Sequence, residues 1–361
     1  MRRRTRPVKV GPLTIGGDAP VSIQSMTNTD TREERTTLEQ IDRLQQAGCE
    51  LVRMAVPDVQ AAKMLAAYKR QMSLPLIADI HFDHNLALLA IEAGADKIRI
   101  NPGNIGGKEK LGRVVTRALE KNVALRIGVN AGSLSREVLE KHGGATADAL
   151  VESALDSLAF MEGLGFFETV ISLKASNVAA TVQAYERIAD QVSYPLHVGV
   201  TEAGRGTRAA VKSAMGIGAL LLRGIGDTVR VSLTGDPVQE VSLAKEILQA
   251  AGVRHFGPDI ISCPTCGRCS VDLEALLAEV ERITENLIEP LTIAVMGCPV
   301  NGPGEAREAD IGISVASDQG GVVFKKGKVV KHAPTAEIIE VFTRELSSLL
   351  APGTVLPERN K

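Results

Sequence analysis

No apolar run in this chain approaches the ~20 residues needed to span a bilayer. The amino end is basic at Arg2, Arg3, Arg4 and Arg6 but lacks the apolar core of a secretory signal, so it reads as a solvated tail. The formal net charge is only -2, which speaks against a nucleic-acid binder. There is no low-complexity segment, and no glycine fingerprint for a nicotinamide cofactor follows a strand. Cysteines number five, four of them between positions 263 and 298, so a disulfide framework is not what organises the fold. These absences lead to the expectation of a soluble, cytoplasmic protein that neither binds nucleic acid nor enters a membrane, with thiols kept reduced and available for metal. Cys49, at the head of an apolar strand, reads as a small core residue.

What is present is enough for ordinary cores: 361 residues, 44% of them hydrophobic, predict one large and one small domain, over residues 1–254 and 255–361. The first part repeats a unit of short apolar strand, loop and amphipathic helix. Eight strands are expected, at Val21–Ser25, Leu51–Ala55, Leu74–Ile80, Lys97–Asn101, Ala124–Val129, Phe167–Lys174, Pro195–Val200 and Thr228–Leu233. Helical periodicity is clear at Leu38–Ala47 and Val238–Ala251. Near-continuous apolar strands alternating with helices imply an α/β fold with parallel strands covered on both sides, closed as a TIM (β/α)8 barrel, with an open doubly wound sheet as the alternative. Val8–Ile15, centred on Gly11-Pro12, reads as a hairpin that plugs one end. After Gly252 the pattern changes to a smaller α+β unit, with helices at Asp272–Leu287 and Thr335–Leu350. Its strands are expected at Leu291–Met296, Ile311–Val315 and Gly321–Lys331, the last turning at Lys326-Gly327.

Charges interrupt the barrel strands. Arg53, Arg99, Arg126 and Arg230 each stand within apolar sequence, and Lys174 closes the sixth strand. Asn101, Asn130 and Ser232 follow the same period or sit on adjoining loops. An internal ion-pair lattice would need carboxylates to match, yet only Asp79 and Glu202 lie near these strand ends. Uncompensated buried charge costs several kcal/mol. The reading is therefore a phosphate or diphosphate ligand, whose oxygens suit the planar guanidinium fork. The loop Asp79-Ile80-His81-Phe82-Asp83-His84 could supply zinc ligands, but without a third spaced ligand substrate hydrogen bonding is preferred. His197 fits a core position as well as a lumen one.

Ser262-Cys263-Pro264-Thr265-Cys266-Gly267-Arg268-Cys269 and Gly297-Cys298-Pro299-Val300-Asn301-Gly302-Pro303-Gly304-Glu305 form two cysteine turns around an apolar strand. Four thiols could hold either tetrahedral zinc or an iron-sulfur cluster. The Cys-Pro turns, the glutamate ending the second and the lack of a second closely spaced cysteine pair favour the cluster. Taken in isolation, Glu305 reads as an exposed turn or helix-start residue, and Cys269 could be a ligand or a bystander. A zinc-stapled phosphate-binding barrel without redox chemistry, and a lyase or isomerase needing no electrons, are the competing functions.

Read together, the segments Ser25-Met26-Thr27-Asn28-Thr29, Arg53-Met54-Ala55-Val56-Pro57, Ala78-Asp79-Ile80-His81-Phe82, Arg99-Ile100-Asn101-Pro102-Gly103-Asn104, Arg126-Ile127-Gly128-Val129-Asn130, Val200-Thr201-Glu202-Ala203-Gly204 and both cysteine turns closely resemble the bacterial 4-hydroxy-3-methylbut-2-en-1-yl diphosphate synthase family over essentially the whole chain. The large insertion of plant-type members is absent. The resemblance implies a barrel joined to a small domain like the cluster domain of sulfite and nitrite reductases, with a 4Fe-4S cluster bound by Cys263, Cys266, Cys298 and Glu305 and Cys269 left outside. It implies head-to-tail homodimers in which one subunit's cluster domain closes the other's barrel. The implied reaction is two-electron reduction of 2-C-methyl-D-erythritol 2,4-cyclodiphosphate, with ring opening and loss of water, fed by ferredoxin or flavodoxin. It also implies that Arg53, Arg99, Arg126, Lys174, Arg230 and Ser232 hold the diphosphate, that Asp79, His81, Asn101 and Asn130 complete the pocket, and that Glu202 protonates the departing hydroxyl.

Overall fold

The computed structural model describes residues 2–175, 177–298, 306–316, 320–354 and 356–357, and they form two compact units, Met1–Arg254 and His255–Lys361. The first unit is built on eight parallel strands: β3 Ser22–Met26, β4 Leu51–Ala55, β5 Leu76–Asp79, β6 Lys97–Ile100, β7 Ala124–Asn130, β8 Thr169–Lys174, β9 His197–Val198 and β10 Thr228–Val229. They run in the order β8-β7-β6-β5-β4-β3-β10-β9, and a parallel bridge from Ile171 to Leu196 joins the two ends. The ring is thus a barrel and not an open doubly wound sheet. Helices between the strands begin on side-chain caps, among them Asp58 before Val59–Gln71, Asn177 before Val178–Ala189, and Asp236 with Pro237 before the helix Pro237–Ala250. Among the described residues no helix is long and apolar enough to cross a membrane.

The expected hairpin is present as β1 Val8–Val10 and β2 Leu13–Ile15, with Val8 opposite Ile15. Gly11 takes φ +58 at the first central position of its two-residue turn, and a Cβ there would lie 2.7 Å from an Asp96 carboxylate oxygen. Val8, Val10 and Ile15 pack on Leu51, Ile77, Ala124 and Val170 from the starts of four strands, so the hairpin seals the amino end of the barrel with an apolar floor.

Pairing in β9 and β10 is much shorter than the periodicity suggests. Pro195 has no N–H to donate, the Leu196 N–H goes to the Asp227 carboxylate at 2.8 Å, and Gly199 lies so close to the Arg230 carbonyl that a Cβ would sit 2.5 Å from it. Beyond Val198 and Val229, after one further bond from the Arg230 N–H to the Val198 carbonyl, Gly199, Thr201, Arg230 and Ser232 line the site.

The second unit is a five-stranded sheet, β11 Asp259–Ser262, β12 Thr292–Met296, β13 Ile311–Ala316, β14 Gly320–Lys325 and β15 Lys328–Ala333, in chain order. The first three strands are parallel and the last three antiparallel. Helices α10 Leu273–Thr284 and α11 Ile338–Ser347 cover one face through Val280, Ile283, Phe342 and Leu346. Strand β11 lies in a stretch that reads as loop, because only Ile260 and Ile261 are apolar in this exposed edge strand.

Candidate active site

Parallel register partners point to the same side of a sheet, so the register fixes what fills the barrel. Arg53 pairs with Ile77, Asp79 with Arg99, and Arg99 with Arg126. Since Leu51, Ile77 and Ala124 touch the plug, Arg53, Lys97, Arg99 and Arg126 share the inward face with them. All four are buried. Arg53 Nε lies 3.9 Å from Asp79 and contacts Met26 Sδ at 3.0 Å; Arg99 donates to Asp79 at 3.2 Å and meets the His81 ring. Gly128 leaves room for Arg99, whose Nε would be 2.9 Å from a Cβ there. Burial works to raise the Asp79 pKa, but Arg53, the bond with His81, Arg99 and Arg126 outweigh it and hold the carboxyl well below the usual range.

Arg230 follows β10 and donates to Glu240 at 3.2 Å; Glu240 also accepts from the Leu233 N–H and the Ser25 hydroxyl, each at 3.0 Å. This carboxylate corrects the expectation that Asp79 and Glu202 are the anions at hand. Glu240 sits on the Pro237–Ala250 helix at the spacing of its buried face, with Pro237, Val241 and Ala244, and that periodicity was the available signal. Glu202, by contrast, is exposed at the mouth and makes no ion pair among the described residues. Among the described residues, six inward cations (Arg53, Lys97, Arg99, Arg126, Lys174, Arg230) therefore meet two carboxylates, Asp79 and Glu240.

Arg126 carries the imbalance. It is 0% exposed, and none of its three guanidinium nitrogens has a hydrogen-bond partner among the described residues. Burial, then repulsion from Arg53 and Arg99, opposes its charge. A guanidinium does not escape by losing a proton in a protein. Lys174 can, and burial followed by Arg53, Arg126, Arg99 and Arg230 pushes it down to about 6.

Above these residues opens a cleft of about 830 Å3 lined by His81, Phe82, Asn101, Asn130, Lys174 and Glu202. A smaller space of about 10 Å3 lies against Arg53, Lys174, His197, Arg230 and Ser232. Two non-glycine residues with left-handed backbone, Phe82 at φ +66 and Glu202 at φ +58, lie on the rim of the cleft. Such conformations cost on the order of 1–3 kcal/mol and cluster at functional sites. Asn130 Oδ1 is buried without a partner. Asn101 ties the loop after β6 to the turn after β7, donating to Ser133 Oγ at 2.8 Å and accepting from the Gly103 N–H at 3.0 Å. His197 faces inward with Nδ1 unpaired, while its carbonyl accepts from the Tyr185 hydroxyl. The two loop histidines part: His81 turns to Arg99 and Asp79, and buried His84 to Arg113. The two rings do not converge on one point.

In the second unit, Cys263 directly follows β11 and Cys298 lies two residues past β12; because these strands are adjacent and parallel, both cysteines leave the same edge of the sheet. Gly297 admits the Cys269 segment, for a Cβ there would lie 2.5 Å from Cys269 Sγ. All five cysteines are free, and Cys298 is buried. The Arg268 N–H bonded to Cys266 draws that thiol below its ordinary pKa. Glu305 lies outside the described residues, and among those described no three His, Cys, Asp or Glu side chains converge as a metal site. Donor chemistry and placement suit a soft-metal cluster: free thiols, one with a lowered pKa, on turns leaving one sheet edge. Cys49 is core, as its position suggests, and burial pushes its thiol up to about 12.

Comparison with known proteins gives two family matches, the GcpE TIM-barrel domain over residues 5–245 and the GcpE protein C-terminal domain over 259–348. Among relatives, proteins named 4-hydroxy-3-methylbut-2-en-1-yl diphosphate synthase (flavodoxin) are 53% identical in Caldanaerobacter subterraneus subsp. tengcongensis, over 97% of this chain and 98% of the relative. The Bacillus subtilis protein of that name is 51% identical over 96% of this chain and 92% of its own. Among solved structures, the dihydropteroate synthase of Yersinia pestis superposes with a TM-score of 0.51 at 12% identity, covering 68% of this chain and 98% of that one. At such identity the likeness is one of fold alone.

Proposed function

The chain belongs to the GcpE family, the 4-hydroxy-3-methylbut-2-en-1-yl diphosphate synthases, and on that premise we propose how its residues carry the reaction. The protein is an oxidoreductase of non-mevalonate isoprenoid biosynthesis that converts 2-C-methyl-D-erythritol 2,4-cyclodiphosphate to 4-hydroxy-3-methylbut-2-enyl diphosphate. The zinc-stapled, non-redox alternative finds no support among its relatives. The observation that carries the site assignment is the unpaired, fully buried Arg126 in a barrel where cations outnumber carboxylates. A diphosphate is the anion that such a set of guanidinium forks and an amine would take up.

In this reading Arg53, Arg99, Arg126, Lys174, Arg230 and Ser232 hold the diphosphate, while Asp79, His81, Asn101 and Asn130 fix the arginines and the rim. Asn101 acts through its loop, given its bonds to Ser133 and Gly103. Glu202, held on the rim with left-handed backbone, gives a proton to the hydroxyl that departs as water. A 4Fe-4S cluster on Cys263, Cys266, Cys298 and Glu305 would supply the two electrons, one at a time. Flavodoxin is the proposed donor, with ferredoxin the other candidate. The 1–254 unit is assigned to substrate and the 255–361 unit to the cluster. A homodimer in which the cluster domain of one subunit caps the barrel of its partner, working in the cytoplasm, completes the proposal.

Anaerobic purification tests it directly: the protein should be coloured, contain iron and acid-labile sulfide, and consume the cyclodiphosphate only when a reductant is supplied. One zinc without sulfide, or turnover without electrons, would refute it. Glu202→Gln should lower kcat by ~10²–10⁴ with KM little changed, the signature of a lost proton donor. Equal turnover in single-turnover assays would remove that role.

The pH dependence follows from Lys174. Its amine loses its proton near pH 6 in the free site. A bound diphosphate favours the charged form, so above pH 6 binding takes up a proton at this amine, which by itself lowers affinity by about tenfold per pH unit. Lys174→Met should make the profile shallower by that amount, as read from binding titrations between pH 6 and 8. An unaltered slope counts against the assignment.

A further inference from the structure

Lys97 has no part in the chemistry described so far, and its position is peculiar. It begins β6 between Ile77 and Ala124, two residues of the apolar floor that packs on the plug hairpin. Its side chain is 0% exposed and, among the described residues, its Nζ has no hydrogen-bond partner. The groups around it are a hostile set for a cation. Arg126 on β7 and Arg53 on β4 repel it, and His197 on β9 lies within its field. Next to it β5 offers Ile77, β8 offers Val170, and the plug offers Val8, Val10 and Ile15. Inward positions of β3 and β10 contribute uncharged Gln24 and Thr228, whose polar side-chain atoms are also unpartnered. The Asp79 carboxylate is engaged with Arg53, Arg99 and His81. Burial, then Arg126 and Arg53, lowers the pKa of Lys97 well below its ordinary value.

Building on the diphosphate assignment above, we propose that Lys97 is a positioning residue that acts on the substrate through Arg126. It is uncharged while the barrel is empty and takes up a proton when the diphosphate enters. Ligand anions compensate Arg126 and Arg53, which removes the repulsion that keeps Lys97 neutral. The new charge beneath Arg126 then presses the guanidinium toward the ligand, and only when a ligand is there to receive it. An always-charged group at this place would add to the unpaired charge of the empty barrel. An apolar one would leave Arg126 unsupported from below. Binding is thereby coupled to protonation at two amines, Lys174 at the rim and Lys97 at the floor.

The test is calorimetry of cyclodiphosphate binding to the cluster-loaded protein, without reductant, at pH 8 in two buffers of different ionisation enthalpy. Each phosphorus of this cyclic ligand carries one strongly acidic hydroxyl, so the ligand itself does not titrate there. Lys97→Met should take up about one proton fewer than the wild type. Lys97→Arg, charged throughout, should show the same loss while retaining more of the affinity. Identical proton counts in wild type and Lys97→Met overturn the proposal and leave the diphosphate site standing. Failure of the wild type to bind the cyclodiphosphate at all overturns both. If the Lys97 variants do not fold, Lys174→Met decides: residual proton uptake supports Lys97, and its complete loss overturns it.

Discussion

Arg126→Met is expected to make the substrate-free protein melt higher while crippling its affinity for the cyclodiphosphate. The two effects have one origin. The guanidinium is fully buried, repelled by Arg53 and Arg99, and without a single hydrogen bond, so the empty fold carries its desolvation with little return. Methionine fills similar space without charge, and exchanges of buried ionic for apolar groups stabilise by about 1–4 kcal/mol in favourable cases. With ligand present the comparison reverses. Each charge-assisted hydrogen bond to phosphate is worth about 1.5–3 kcal/mol, so KM should rise roughly 10- to 100-fold per bond lost. Thermal unfolding and steady-state kinetics on the same preparations read both. A variant that melts lower and binds as well as the wild type would show that Arg126 is a structural residue, and the anion site would have to be sought elsewhere.

Cys298→Ser should abolish turnover, by on the order of 10³-fold or more, in a protein that still folds. The turn around Cys298 is held by its backbone, since its carbonyl accepts from Ser314 Oγ at 2.9 Å, and that bond does not depend on sulfur. Far-UV circular dichroism should therefore stay close to wild type while acid-labile sulfide and visible absorbance vanish. Cys269→Ser is the paired control. Its thiol donates to the Val271 carbonyl at 3.4 Å, a bond that a hydroxyl can replace, so cluster content and activity should persist. Sulfide at wild-type levels in Cys298→Ser would remove that residue from the ligand set. Loss of the cluster from Cys269→Ser would bring Cys269 into it.

Much of this was legible in the sequence, and the failures are specific. Arginines within Val/Ile/Leu strands were visible because a parallel strand buried on both faces has no ordinary use for charge. The plug was visible because Gly11-Pro12 sits between two short alternating runs. Glu240 escaped attention because it enters from a helix, where a glutamate is commonplace, and only its phase among Pro237, Val241 and Ala244 gives it away. Lys97 is masked by its place at the head of β6, where a lysine commonly ends a loop, although it shares one face of the strand with Arg99. Strand β11 and the short pairing of β9 and β10 were beyond periodicity, since the first is an exposed edge and the others end where side chains and glycine backbone replace the ladder. That Asn101 is tied to Ser133 depends on loop geometry that no local pattern encodes.

The hairpin of Val8–Val10 and Leu13–Ile15 has a consequence for traffic. With the amino end stoppered by aliphatic side chains, the well is a blind alley, and whatever goes in must come out through the same doorway. If the cations hold the diphosphate as proposed, product carrying the same two phosphoryl groups would rest on them too and stand in the path of the next arrival.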